Sequence, residues 1–169
     1  MKIDYRRIGR HFRAARQQQN LKQKDIAELL GVSVKTYSSL TTTDWEAVVD
    51  FLGMKPILPG YLPEGWRAGQ YYAVRFDDEL ILNISYINDV SPTATMIFLW
   101  DHYFSVEAAN LALEQNKEGE LMEINGIRVY RSSNMEKNRF VWIEGKSVYS
   151  LTTTCDEKEI EAIISSFGE

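Results

Sequence analysis

The sequence predicts an α+β protein built in two parts. Residues 1–40 form a small all-helical head, and residues 41–169 form an antiparallel-sheet domain with a closing C-terminal helix. Three observations carry this. Apolar residues recur at helical spacing up to Leu40, then alternate with period two from Gln70 onward. A Pro- and Gly-rich stretch, Pro56 to Trp66, separates the two patterns. The charge also splits: residues 1–40 hold nine Lys or Arg against three acids, whereas the rest holds ten against 21. A basic head on an acidic body suggests two functions, and only the head suits a polyanion.

Composition bounds the rest. The 169 residues are 44% hydrophobic, which fits one medium domain or two small ones and argues against disorder. No apolar run approaches the roughly 20 residues of a membrane span. The basic N-terminus lacks an apolar core segment, so it is not read as a secretory signal. Cys155 is the single cysteine and permits no internal disulfide. A cytoplasmic protein with no membrane attachment is the expectation.

Residues 4–19 read as the first helix, with Ile8, Phe12 and Ala15 on one face. Arg6, Arg10 and Arg13 line another, with Arg7 and Arg16 beside it. That stripe reads equally well as a phosphate contact or as a solvated surface. In the next helix Leu21, Ile26, Leu29 and Leu30 make one apolar face, and the small Ala27 admits a close neighbour. Gly31 follows where a chain leaving a helix needs positive φ. Ser33 is a good N-cap for a further helix. Val34, Tyr37 and Leu40 face inward from that helix, leaving Lys35, Thr36, Ser38 and Ser39 outward.

This pattern resembles the helix-turn-helix of the lambda-repressor and Cro-like (XRE) family over about residues 5–40. The resemblance implies DNA as a partner. It implies that Gln23 touches a phosphate and that Ser33 to Ser39 form the recognition helix. Ser33 caps that helix, and Lys35, Thr36 and Ser39 are its candidate groove contacts. A departure follows at Leu40. The family continues into a Glu and two further helices, whereas here the chain runs Thr41-Thr42-Thr43. Some 40 residues are little chain for an independent core.

Asp44 reads as the cap of a helix over Trp45–Leu52, ended by Gly53. Strands are expected over 70–76, 79–87 and 93–102, with a turn at Asp77-Asp78. Weak helical character follows over 105–116. Residues 121–131 read as a strand pair or bulged strand broken at Asn125-Gly126. Residues 139–143 and 147–153 read as a hairpin around Glu144-Gly145-Lys146. Asp156 caps a last helix whose face is Ile160, Ile163, Ile164 and Phe167. The outline is one helix, about six antiparallel strands and a closing helix.

The entry Leu62-Pro63-Glu64-Gly65-Trp66, the Ile124-Asn125-Gly126-Ile127 turn, the Trp142-Ile143-Glu144 strand and Tyr149-Ser150-Leu151 carry a second resemblance. Residues 45–168 look like a bacterial domain of unknown function found at the end of anti-sigma-factor-like, lipoprotein and helix-turn-helix proteins. The pattern is similar to the C-terminal domain of the sigma-E regulator RseB.

Catalytic signals are weak. His11 and His102 have no Cys or acid at metal-ligand spacing, and Cys155 has no neighbouring His. Asp77, Asp78, Glu118 and Glu120 read as turn and loop acids. No phosphate loop or nucleophile elbow occurs. Trp66, Tyr71, Tyr72, Trp100, Tyr103 and Trp142 read more readily as sheet core than as a ligand groove. The expectation is a protein without catalytic residues, cofactor or metal. Two functions compete: a DNA-binding regulator with a sensing or protein-interaction body, acting as a dimer, or an anti-sigma-type interaction module whose head does not bind DNA.

Overall fold

A computed structural model describes residues 37–134 and 137–167. These form an antiparallel sheet of eight strands with three helices. The strands are β1 (Tyr37–Thr42), β2 (Trp66–Phe76), β3 (Glu79–Asn88), β4 (Met96–Tyr103), β5 (Glu120–Ile124), β6 (Ile127–Asn134), β7 (Lys137–Glu144) and β8 (Ser147–Thr153). The helices are α1 (Trp45–Leu52), α2 (Val106–Asn116) and α3 (Glu157–Ser165). The strand order is β1-β2-β3-β4-β8-β7-β6-β5, two meanders joined where β4 meets β8.

The alternating pattern divides the sheet's two faces. Leu80, Leu82, Ile84, Phe98, Trp100, Tyr149 and Leu151 point to one face. There they meet Val48 and Leu52 of α1, and Ile160, Ile163, Ile164 and Phe167 from α3 onward. The opposite face buries Val141 and Val148 under Ala109, Ala112 and Leu113 of α2. β8 is buried along nearly its whole length because it is central and covered on both sides.

Local chemistry sets the connections. Asn125 (φ 49°) and Gly126 (φ 83°) both adopt positive φ, as a two-residue type I′ hairpin requires, so residues 120–134 are a strand pair. Gly145 (φ 57°) opens the β7–β8 turn. Asp44 and Ser105 cap α1 and α2 with their side-chain oxygens, and Asp156 with Glu159 forms a capping box on α3. Gly53 ends α1 in the left-handed conformation. The Pro-rich entry is clasped to the end of α3: Gly60 N–H donates to the Ser166 carbonyl at 3.2 Å, and Tyr61 N–H to Ser166 Oγ at 3.1 Å.

One expectation is corrected. The recognition helix expected over Ser33 to Ser39 does not extend past Thr36, because Tyr37–Thr42 is strand β1. Six residues of β1 pair with β2, from Tyr37 opposite Phe76 to Thr42 opposite Tyr71. The Tyr37 and Phe76 rings meet at 5.7 Å. Tyr and Thr favour a pleated surface, and a free edge on β2 offers six residues of pairing. That tertiary gain outweighs the helical spacing of Val34, Tyr37 and Leu40. The chain's contacts divide between Thr36 and Tyr37, and the unit containing the sheet begins at Tyr37.

Candidate functional site

Gln23, Ser33, Lys35 and Thr36 lie outside the described residues. Ser39 is described: it is exposed on β1, opposite Val74 of β2. The site that can be built from side chains is in the body, where the sheet opens.

β6 and β7 pair from Asn134–Lys137 only as far as Tyr130–Val141. Beyond that point β6 stays with β5 to the Ile124–Ile127 pair, and β7 stays with β8 to Glu144–Ser147. The two strands therefore fork, and residues 127–129 do not pair with 142–144. A cleft of about 640 Å³ occupies the fork. One wall is the β5–β6 turn and the start of β6: Asn125, Gly126, Ile127, Arg128 and Tyr130. The other is the end of β7: Trp142, Ile143 and Glu144. Asn110 and Leu113 of α2 approach from one face, and Ser165 and Phe167 from the other. Residues of both faces line one cleft because the ladder between them is interrupted.

Trp142 is 1% exposed, and its Nε1 has no hydrogen-bond acceptor among the described residues. Indole nitrogen can only donate. Leaving such a donor buried and unsatisfied costs about 1–3 kcal/mol. The ring is held from both sides: it stacks on Tyr149 and takes the edge of Phe167. Arg128 and Glu144 are exposed at the cleft, and neither has an ion-pair partner among the described residues.

A second polar cluster lies where β4 ends and β3 and β8 begin. Trp100 Nε1 donates to Ser147 Oγ at 3.1 Å, and His102 Nδ1 lies 2.9 Å from the same oxygen. Burial, then the Lys146 ammonium, pulls the His102 imidazole below its ordinary value. Asp101 Oδ1 is buried without a partner among the described residues. Burial, reinforced by Glu79, pushes the Asp101 carboxyl up to about 7. Burial also raises the Cys155 thiol, so it is less of a thiolate than an exposed one. No group of three His, Cys, Asp or Glu among the described residues is arranged to hold a metal ion.

Residues 56–167, about two thirds of the chain, match a family described as domain of unknown function (DUF4367). The chain belongs to that family. Residues 12–42 match a family described as helix-turn-helix. No curated protein and no solved structure matches the chain. The helix-turn-helix match ends at Thr42, the last residue of β1, so its last six residues are strand. The DUF4367 match spans β2 to β8 and all of the cleft. Neither match is to an anti-sigma or RseB-like family. No helix among the described residues is long and apolar enough to cross a membrane.

Of the aromatic residues singled out from the sequence, Trp142 lines the cleft. Trp100 is core, Trp66, Tyr71 and Tyr103 are half-buried, and Tyr72 is exposed. Sequence reading missed Arg128, Tyr130 and Asn110. Arg128 carries one faint signal, a cation two residues past a tight turn. The fork itself has none, since nothing in β6 or β7 encodes where pairing stops.

Proposed function

We propose that the chain is a DNA-binding transcriptional regulator whose body is a non-enzymatic sensing or protein-interaction domain. The carrying observation is a helix-turn-helix match lying almost wholly in the basic first quarter of an otherwise acidic protein. The head contacts DNA through Gln23 on a phosphate and through Ser33, Lys35 and Thr36. Ser39, on β1, belongs to the strand and not to the recognition helix. Two copies act together, since one short recognition helix covers few base pairs. The edge strand β1 favours such pairing. Its sequence Tyr-Ser-Ser-Leu-Thr-Thr carries no charge or proline to block addition of another strand. The body needs no cofactor, and the protein works in the cytoplasm.

A second reading is favoured by one observation: β1 takes up residues that a full-length recognition helix would use. In that reading the head is a remnant, and the chain is an interaction module of anti-sigma type.

Fluorescence-anisotropy titration on sites selected from random DNA tests the two. For the regulator, affinity falls steeply with salt, with a log–log slope near −0.9 per phosphate neutralised. Gln23→Ala weakens all sequences alike. Lys35→Ala relaxes one position, by about 1–3 kcal/mol if it reads a guanine. Selection that yields no site better than bulk DNA overturns the regulator and leaves the interaction module.

A further inference from the structure

We propose that the cleft in the β6–β7 fork binds a small organic monocarboxylate with an apolar or aromatic body. The inference deepens the reading of the body as a sensing domain and rests on it for the consequence of binding, though not for binding itself.

Four observations converge on this chemistry. The cleft volume of about 640 Å³ suits one small molecule. Its walls supply apolar surface from Leu113, Ile127, Trp142, Ile143 and Phe167. Trp142 lines the cleft and its Nε1 is a buried donor with no acceptor among the described residues, so an occupant with an acceptor oxygen suits it. Arg128 is a guanidinium at the same cleft with no ion-pair partner among the described residues, and its planar fork matches a carboxylate.

The remaining features exclude alternatives. A phosphate or other polyanion would meet a single cation, with Glu144 also lining the cleft and a body of ten basic and 21 acidic residues around it. A sugar would offer donors and acceptors all round, whereas about half the lining residues present hydrocarbon. A monoanion with one polar end needs only the single cation, and leaves its body to the apolar walls. The fork explains why such a site exists in a sheet: residues 127–129 and 142–144 forgo pairing with each other.

The test uses the full chain and a panel of phenylacetate, indoleacetate and isocaproate, each against its neutral primary amide. Binding is read by calorimetry and by Trp fluorescence. The expected result is saturable binding of at least one acid, with its amide at least about tenfold weaker. Arg128→Gln, an exposed substitution, lowers acid affinity by a similar factor and leaves the amide unchanged. Trp142→Phe keeps the ring and removes the N–H, and it weakens acid and amide alike. Should it not fold, Arg128→Gln alone decides. Binding of no acid at millimolar concentration overturns the proposal, as does binding indifferent to Arg128→Gln. Acid binding that leaves DNA affinity unchanged upholds the cleft and removes only its coupling to the head. Loss of DNA binding by the wild type leaves the cleft result untouched.

Discussion

The Trp142 indole lies nearly parallel to the Tyr149 ring across the β7–β8 ladder, 5.3 Å between centroids and 11° between planes. Phe167, just past the end of α3, sets its edge against both, at 5.1 Å and 5.4 Å. It also meets Phe98 of β4 at 5.3 Å. One residue near the chain end thus closes an aromatic cluster drawn from three strands.

Phe167→Ala should therefore lower stability by about 3–5 kcal/mol, because it opens a cavity among rings that have no freedom to collapse into it. Urea denaturation followed by Trp fluorescence measures this. An unchanged midpoint would mean that the ring contributes nothing to the cluster.

Gly119 and Gly126 separate two causes of strain. Both have positive φ, at 86° and 83°. A Cβ on Gly126 would meet nothing within 4 Å, but one on Gly119 would lie 1.9 Å from the Arg131 carbonyl oxygen. Gly126→Ala should cost about 1–2 kcal/mol, the backbone term alone. Gly119→Ala should cost clearly more, since β5 must also move off β6. Equal losses in thermal denaturation would remove the steric part of the argument.

Asp101 gives the fold a pH dependence of definite sign. Its carboxyl rises from 3.8 to about 7 on folding, so between these values the folded chain holds the extra proton. Stability from this group then falls as pH rises through that window, and levels off above it. Asp101→Asn cannot titrate. Its melting temperature relative to wild type should climb between pH 4 and 7 and stay flat at higher pH. A difference independent of pH would show that Asp101 titrates as it does in the unfolded chain.

Strand β1 adds only Leu40 to the edge of the main core, and the other seven strands do not depend on it for their pairing order. A fragment of residues 37–169 should melt cooperatively, because it keeps the whole sheet. A fragment of residues 45–169 should also fold, at a lower urea midpoint, since the outer edge of β2 then loses its six partners. Absence of a cooperative transition in the longer fragment would end the idea that the body folds by itself.

Much of the body was legible in the sequence, for local reasons. Helix α1 follows from Asp44, the Trp45/Val48/Val49/Leu52 spacing and Gly53, and it has those bounds. The Asn125-Gly126 turn and the α3 face are equally local. What failed was non-local. Tyr37 to Leu40 carry helical spacing, yet their partners, Phe76 to Ala73 on the β2 edge, come more than 30 residues later. The cleft was hidden for the same reason: Trp142 looks like any sheet aromatic until β6 diverges from β7. Strand ends also differ in both directions: β2 begins at Trp66, not at 70, and continues through an irregularity near Gly69 that breaks its alternation, whereas β4 begins at Met96, not at 93.

The sheet order carries a consequence for how the chain is made. Every pairing but one joins strands adjacent in sequence, and the tight hairpins among them, such as β2–β3 and β7–β8, close within microseconds. The exception, β4 with β8, sets Met96 opposite Thr153. During synthesis β1 to β4 leave the ribosome first, with the hydrophobic flank of β4 unpaired. It stays so while more than 40 further residues are added. This interval is the protein's period of greatest exposure to aggregation, and it ends only when the last strand zips into the middle of the sheet.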